Sequence, residues 1–475
     1  MTDLASLSAI AMADGFRTGT LSPVAVLDAV LARLDATEPV LNAFAHVDRV
    51  GAMIAARASE ARYRDGAPLG PLDGVPVSVK DMLPTIGMPT RKGSCTTDPD
   101  APQDADAPAA ARARAAGMVL FGKTTTTEFG GSPYSTSPLT GDTRSPWNTA
   151  YGCAGSSMGA AAQLAAGVGP LAIANDASGS IRMPASFGGV FGLKPTFGMV
   201  ATWPSSSAGI LGHTGPMGWS VDDTAALLQV IAGPDPRDPY TLPRQAQILD
   251  SDIGDGVKGL RIAYSPTLGL VAPDPEVRAA TDAAAATFET LGASVEQVDP
   301  DFSGLIEAYD CLRISFRAAS YRAAGAGAKR DQMDELVARV LDQSRAYSAD
   351  DFIAALRHRE VLTARMQQFH ETYDLLLTPT LAVPPQRLGT KPGPQDDHWY
   401  LIDGRIWAPY CFGFNLTQQP AASIPCALTG ADSTEAPDLP IGLQIVGARF
   451  RDDLVLRAAR AFEGARDWRR PVVVP

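Results

Sequence analysis

Apolar residues near the start of the chain recur with helical spacing. Val24, Leu27, Val30, Leu31 and Leu34 fall on one helix face, and Ser22 before Pro23 supplies an N-cap and a first-turn residue. The Ala-rich segment from Val40 to Arg62 keeps helical character. The pattern changes at Gly74. Val75-Pro76-Val77-Ser78-Val79 is short, β-branched and interrupted by proline, which predicts a strand near a sheet edge, running directly into Lys80. Ala107–Ala116 reads as a helix, and Met118–Phe121 and Leu171–Ala174 read as short buried strands. The run from Gly233 to Pro239 is the clearest break. Beyond it lies an Ala/Arg-rich, mostly helical stretch to about Tyr373, with strands expected at Leu260–Tyr264 and Leu375–Leu377. A polar, Pro-rich loop covers Pro384–Asp397. Strand character returns at Ile441–Val446 and a helix at Leu454–Phe462. Strands alternating with helices predict an α/β fold, with a parallel or mixed sheet covered by helices.

Composition narrows the function classes. The 475 residues, 45% apolar and 19% charged, can bury a large core as one big domain or two smaller ones. The net charge of −12 disfavours polyanionic partners, so neither nucleic acid nor an anionic membrane surface is expected. No run of about 20 uncharged apolar residues is present to span a bilayer. The five cysteines are odd in number and include no C-x-x-C pair, so neither a disulfide framework nor a zinc site is expected. The N-terminus has no basic segment leading into an apolar run, so no signal peptide is expected. A cytoplasmic location follows from both readings.

Candidate chemistry concentrates between Gly152 and Thr196, where Ser, Gly and Ala cluster. Glycine-rich loops bring backbone N–H groups close to a ligand, and Ser178-Gly179-Ser180 could aim several at one oxyanion. Three readings compete. A phosphate-binding loop needs Gly-Lys-Ser/Thr, whereas Gly159 is followed by Ala160 and Ala161. A nucleophile elbow matches Gly155-Ser156-Ser157-Met158-Gly159, with Ser157 as nucleophile. That reading needs a histidine base, and His213, His358, His370 and His398 sit in no obvious catalytic turn. The third reading uses a neutral lysine in place of histidine, and Lys80 ends an apolar strand whose burial would lower its pKa.

The run Gly155-Ser156-Ser157, Asp176, Gly179-Ser180-Ile-Arg182-Met-Pro-Ala-Ser-Phe-Gly-Gly-Val-Phe-Gly-Leu-Lys194-Pro-Thr resembles the signature of the amidase signature family, as does Gly74-Val-Pro-Val-Ser-Val-Lys80-Asp81. Ser156 and Ser180 lie 24 positions apart, the spacing that family uses. Further matching segments at Gly122–Phe129, Ser145–Asn148, Gly215–Asp223 and Pro440–Gly447 extend the resemblance over nearly the whole chain. It implies one large α/β domain over 1–475, with a central twisted mixed sheet and helices on both faces. The signature core would span about 70–230 and a helical, substrate-shaping portion about 240–410, with a final strand and helix returning to the core. It implies Lys80 as general base, Ser156 as bridging serine at a cis peptide bond, and Ser180 as nucleophile. Backbone N–H groups of Ala177, Ser178, Gly179 and Ser180 match the oxyanion hole, and Ser157, Asp176 and Arg182 match supporting positions. No metal or cofactor is implied.

Met158 and Ser178 depart from the family's glycines, which bears on substrate scope. The candidate walls are aromatic and neutral: Tyr134, Trp203, Trp399, Trp407 and Phe412, with Met158 beside them. No arginine or lysine in those loops is obviously placed to hold a substrate carboxylate, although Arg405 lies nearby. An uncharged apolar or aryl amide, carbamate or anilide is therefore the expected substrate, and a homodimer is an allowed assembly. The alternatives are the glutamine-amidase subunit of a tRNA-dependent amidotransferase and a non-catalytic binding protein on the same scaffold. Several residues carry structural expectations instead. Gly188, Gly189 and Gly192 are expected to serve packing, Lys194 to be a surface or structural residue, Asp81 to cap or pair locally, and Cys153 and Cys311 to act as small core residues.

Overall fold

A computed structural model describes residues 3–246, 251–391, 398, 400–402, 405–431, 433 and 435–471. Eleven strands form its main sheet: β1 (Phe44–Val47), β2 (Pro76–Lys80), β3 (Val119–Thr124), β4 (Leu171–Asp176), β5 (Phe191–Lys194), β6 (His213–Gly218), β7 (Arg261–Tyr264), β8 (Ser294–Gln297), β9 (Leu375–Pro379), β10 (Ala421–Leu428) and β11 (Pro440–Gly447). Their order is β1-β3-β2-β4-β6-β5-β10-β11-β9-β7-β8. Pairing is mixed. The β3-β2-β4 and β9-β7-β8 groups are parallel, and the strands between them are antiparallel.

Strand β4 shows why helices cover both faces. Its successive side chains point to opposite sides. Leu171 and Ile173 join one core with Leu227 and Leu228 of helix Val221–Ile231 and with Val455 and Phe462 of helix Asp452–Gly464. Ala172 and Ala174 join another core with Leu27 and Val30 of helix Pro23–Leu41 and with Ala161 and Leu164 of helix Met158–Ala165. Small residues on that second face admit the tightly packed helix that follows Ser156 and Ser157. A Cβ on Gly159 would lie 2.2 Å from the Ala43 carbonyl oxygen. Strands buried on both faces read as apolar runs with little alternation, as in β3 and β4.

Most expected elements are present. Ser22 Oγ accepts the Val24 and Ala25 N–H groups and caps helix Pro23–Leu41. Two expectations are corrected. The segment from Val40 to Arg62 is not continuous helix, because β1 intervenes before helix Arg49–Arg64. The strand leading into Lys80 is interior rather than near an edge, with β1 taking the edge of that half of the sheet. Pro76 is tolerated there as the first strand residue. The interior position matters, because it buries Lys80 at the carboxyl ends of the parallel strands β2, β3 and β4. Lys80 pairs with Thr124, and Val79 with Ile173. Ligands in open α/β sheets gather at such ends.

Candidate active site

Lys80 is 0% exposed. Its Nζ donates to Ser156 Oγ at 2.7 Å and lies 3.4 Å from the Asn175 carbonyl oxygen. Burial disfavours the charged ammonium and holds its pKa well below the ordinary lysine value; Asp176 opposes this and Arg317 reinforces it. The Gly155–Ser156 peptide is cis. Ser156 is 1% exposed and Ser180 6% exposed, and both line one cavity of about 150 Å³. Ser157 is fully buried as the N-cap of helix Met158–Ala165, and its N–H donates to the Ser180 carbonyl at 3.3 Å. It ties the two serine-bearing loops together. No histidine reaches Ser157. His213 lines the cavity, but its Nδ1 pairs with the Leu211 carbonyl at 2.9 Å and its ring packs edge-on to Phe197. The elbow arrangement is therefore absent.

The loop after β4 is organised around one carboxylate. Asp176 accepts N–H groups from Gly179 at 2.7 Å and Ile181 at 3.1 Å, and takes a two-pronged contact from Arg182 at 3.0 Å on each oxygen. Burial would raise its pKa, but the adjacent Arg182 guanidinium outweighs this and holds the carboxyl well below the usual range. Arg182, itself fully buried, also donates to Asn415 Oδ1 at 2.6 Å, Gln444 Oε1 at 2.7 Å and the Cys411 carbonyl at 2.8 Å. These bonds fasten the loop to the C-terminal part of the chain. Gly179 adopts φ +114°, and a Cβ there would lie 2.6 Å from Cys411 Cβ. Its N–H is engaged by Asp176, which narrows the four expected oxyanion donors to Ala177, Ser178 and Ser180. The N–H groups of these three have no acceptor among the described residues.

The Ser178 side chain is held from below the loop. Tyr309 Oη donates to Ser178 Oγ at 2.5 Å, and the Tyr309 ring stacks on Phe412 with centroids 4.3 Å apart. Burial pushes the Tyr309 phenol up to about 12, so it stays a neutral donor. Phe412 is thus a support beneath the loop, not a wall.

The other wall candidates separate. Trp203 lines the cavity that holds the serines. Tyr134 and Trp407, with ring centroids 5.8 Å apart, line a second cavity of about 340 Å³ beside Ala154 and Phe187. Met158 is fully buried in its helix and lines neither, because its position on the first helical turn directs it into packing. Trp399 and the Arg405 side chain lie outside the described residues. Aromatic and apolar wall is instead supplied by Phe129, Tyr321, Met82 and Leu83. The expectation of neutral walls is corrected, since Arg317 and Lys92 also line this cavity. Lys92 is presented by a loop that Asp81 folds back, its carboxylate accepting the Arg91 N–H at 3.0 Å and its carbonyl the Lys92 N–H at 3.0 Å.

Tyr309, Arg317, Asn415 and Gln444 were not singled out from the sequence. Gln444 lies inside the matched segment Pro440–Gly447, which was a usable signal. Nothing local distinguishes Arg317 within an Arg-rich helix. Among the described residues no cluster of His, Cys, Asp or Glu could hold a metal ion, and no helix is long and apolar enough to cross a membrane. All five cysteines are free.

A family model described as Amidase matches residues 25–456. The chain is 34% identical to an acylamidase from Rhodococcus erythropolis, over 97% of this chain and 96% of that protein. It is 33% identical to a glutamyl-tRNA(Gln) amidotransferase subunit from Chloroflexus aggregans, over 99% of each. Its fold superposes on a bacterial aryl acylamidase of the amidase signature enzymes with a TM-score of 0.89, at 27% identity and 98% coverage of both chains.

Proposed function

This chain belongs to the amidase signature family and is an amide hydrolase, and we propose that it cleaves small amides with apolar or aryl parts through an acyl-enzyme on Ser180. The observation that carries this reading is the 2.7 Å contact between buried Lys80 and Ser156, in a cavity that Ser180 also lines. Neutral Lys80 accepts the Ser156 proton as Ser156 accepts that of Ser180. Ser180 Oγ bonds to the carbonyl carbon, and the oxyanion is held by the open N–H groups of Ala177, Ser178 and Ser180. The proton returns through Ser156 to the leaving nitrogen, and the C–N bond breaks. Water then attacks the ester by the same relay and releases the acid. Carbamates and anilides offer the same carbonyl to this machinery, and the aromatic wall around Trp203, Phe129 and Tyr321 supports aryl groups.

A second reading, the glutamine-amidase role, is supported by the similarity to amidotransferase subunits. Free glutamine would bring an ammonium into a cavity whose one lining carboxylate, Asp176, is already held by Arg182. That disfavours it. Turnover of an anilide by the wild type and by Ser180→Ala tests the proposal. Loss of activity with an unchanged melting temperature is expected, and retained turnover would refute it.

A further inference from the structure

Arg317 lies on helix Leu305–Ala323, is 4% exposed and lines the cavity that holds the two serines. A guanidinium withdrawn from water ordinarily meets a carboxylate, because burying an unpaired charge is costly. The other buried arginines obey this. Arg182 grips Asp176, and Arg313 lies 3.5 Å from Asp310. Arg317 has no carboxylate partner among the described residues. Its one hydrogen bond goes to Tyr321 Oη at 3.1 Å, and its Nε has none. Lys92 brings a second cationic side chain to the same cavity. Asp176, the one carboxylate lining it, already accepts from Arg182, Gly179, Ile181 and Asn415. Among the described residues, the Arg317 guanidinium therefore brings to this cavity a positive charge that no carboxylate pairs.

We propose that Arg317 receives a carboxylate carried by the substrate, so that the amides turned over best bear an acidic group in addition to the scissile bond. This rests on the amidase reading and names the substrate class for that same site. Monoamides of dicarboxylic acids, N-acyl amino acids and acylated aminobenzoates have the required chemistry: a single negative charge and no ammonium. The planar guanidinium suits a carboxylate, and Tyr321 Oη fixes its orientation.

Two matched pairs test the inference: the 4-nitroanilides of succinic and butyric acid, and N-butyryl-4-aminobenzoate against N-butyrylaniline. Within each pair the scissile bond is shared, so the ratio of kcat/KM cancels any change in Lys80 protonation. In the wild type one carboxylate member should exceed its neutral partner by about tenfold or more, chiefly through KM. Arg317→Met should bring that ratio close to one, and Arg317→Lys should keep part of it. A wild-type preference for the neutral member in both pairs, or a ratio that Arg317→Met leaves unchanged, overturns the inference. Ser180-dependent hydrolysis without carboxylate preference would leave the amidase reading standing while this inference fell. Should no anilide be cleaved, calorimetric titration of Ser180→Ala with the four compounds decides. Tighter binding of a carboxylate member that is lost on adding Arg317→Met supports it, and equal binding overturns it.

Discussion

At the scale of the residue, the proposed chemistry depends on a lysine that gives up its proton more readily than an exposed one. An exposed lysine titrates near 10.4. Burial lowers the Lys80 value well below that, so the fraction of neutral amine, and with it kcat, should rise with pH through the lowered pKa and level off above it. Lys80→Ala should reduce kcat by orders of magnitude. Lys80→Arg should not rescue it, since a guanidinium keeps its proton. A pH–rate profile of the wild type with both variants checks this, and a flat profile would count against Lys80 as base. Tyr309 offers a second measurement. Tyr309→Phe removes the donor to Ser178 next to the open N–H groups, and should lower kcat about tenfold, the worth of one buried hydrogen bond. The residues proposed to react could be named from the sequence because their spacing matches a long signature. Tyr309 and Arg317 could not, because their roles arise from a helix about 130 residues downstream meeting the loop after β4.

At the scale of the element, two of the strands that went unread have sequences that break strand rules. His213–Gly218 contains two glycines and a proline, and β10 carries Pro425 at a register shift. Both are buried on both faces, where packing overrides propensity. Interior placement of β2 was hidden for the same reason, since a proline at a strand's first residue looks like an edge signal. The final helix yields a stability prediction. Glu463 accepts the Val221 N–H at 3.0 Å, and burial, reinforced by Asp222 and Asp223, pushes its carboxyl up to about 7. Between about pH 4.3 and 7 the folded chain binds a proton there that the unfolded chain does not, so this group's contribution to stability falls as pH rises. Melting temperatures measured from pH 5 to 8 should decline less steeply in Glu463→Gln than in the wild type. Identical slopes would show that Glu463 titrates normally.

At the scale of the molecule, the mixed sheet delivers Lys80 and Asp176 to one end of adjacent parallel strands, while the helical portion and the C-terminal strands lock the loop between them. The overall architecture was legible because alternating elements and a nearly chain-length resemblance agree. The charge of the cavity was not, since it depends on which distant arginine is left unpaired. Matched kcat/KM values on an anilide and on glutamine separate a free-standing hydrolase from an amidotransferase component, and the anilide is expected to win. The central claim, that Ser180 carries the acyl group, is tested most directly by quenching the enzyme in acid during turnover of an activated acyl substrate and mapping the adduct by peptide mass spectrometry. The acyl mass should lie on the peptide at Ser180 and be absent from Ser180→Ala. An adduct on Ser157, or one that survives in Ser180→Ala, would contradict it.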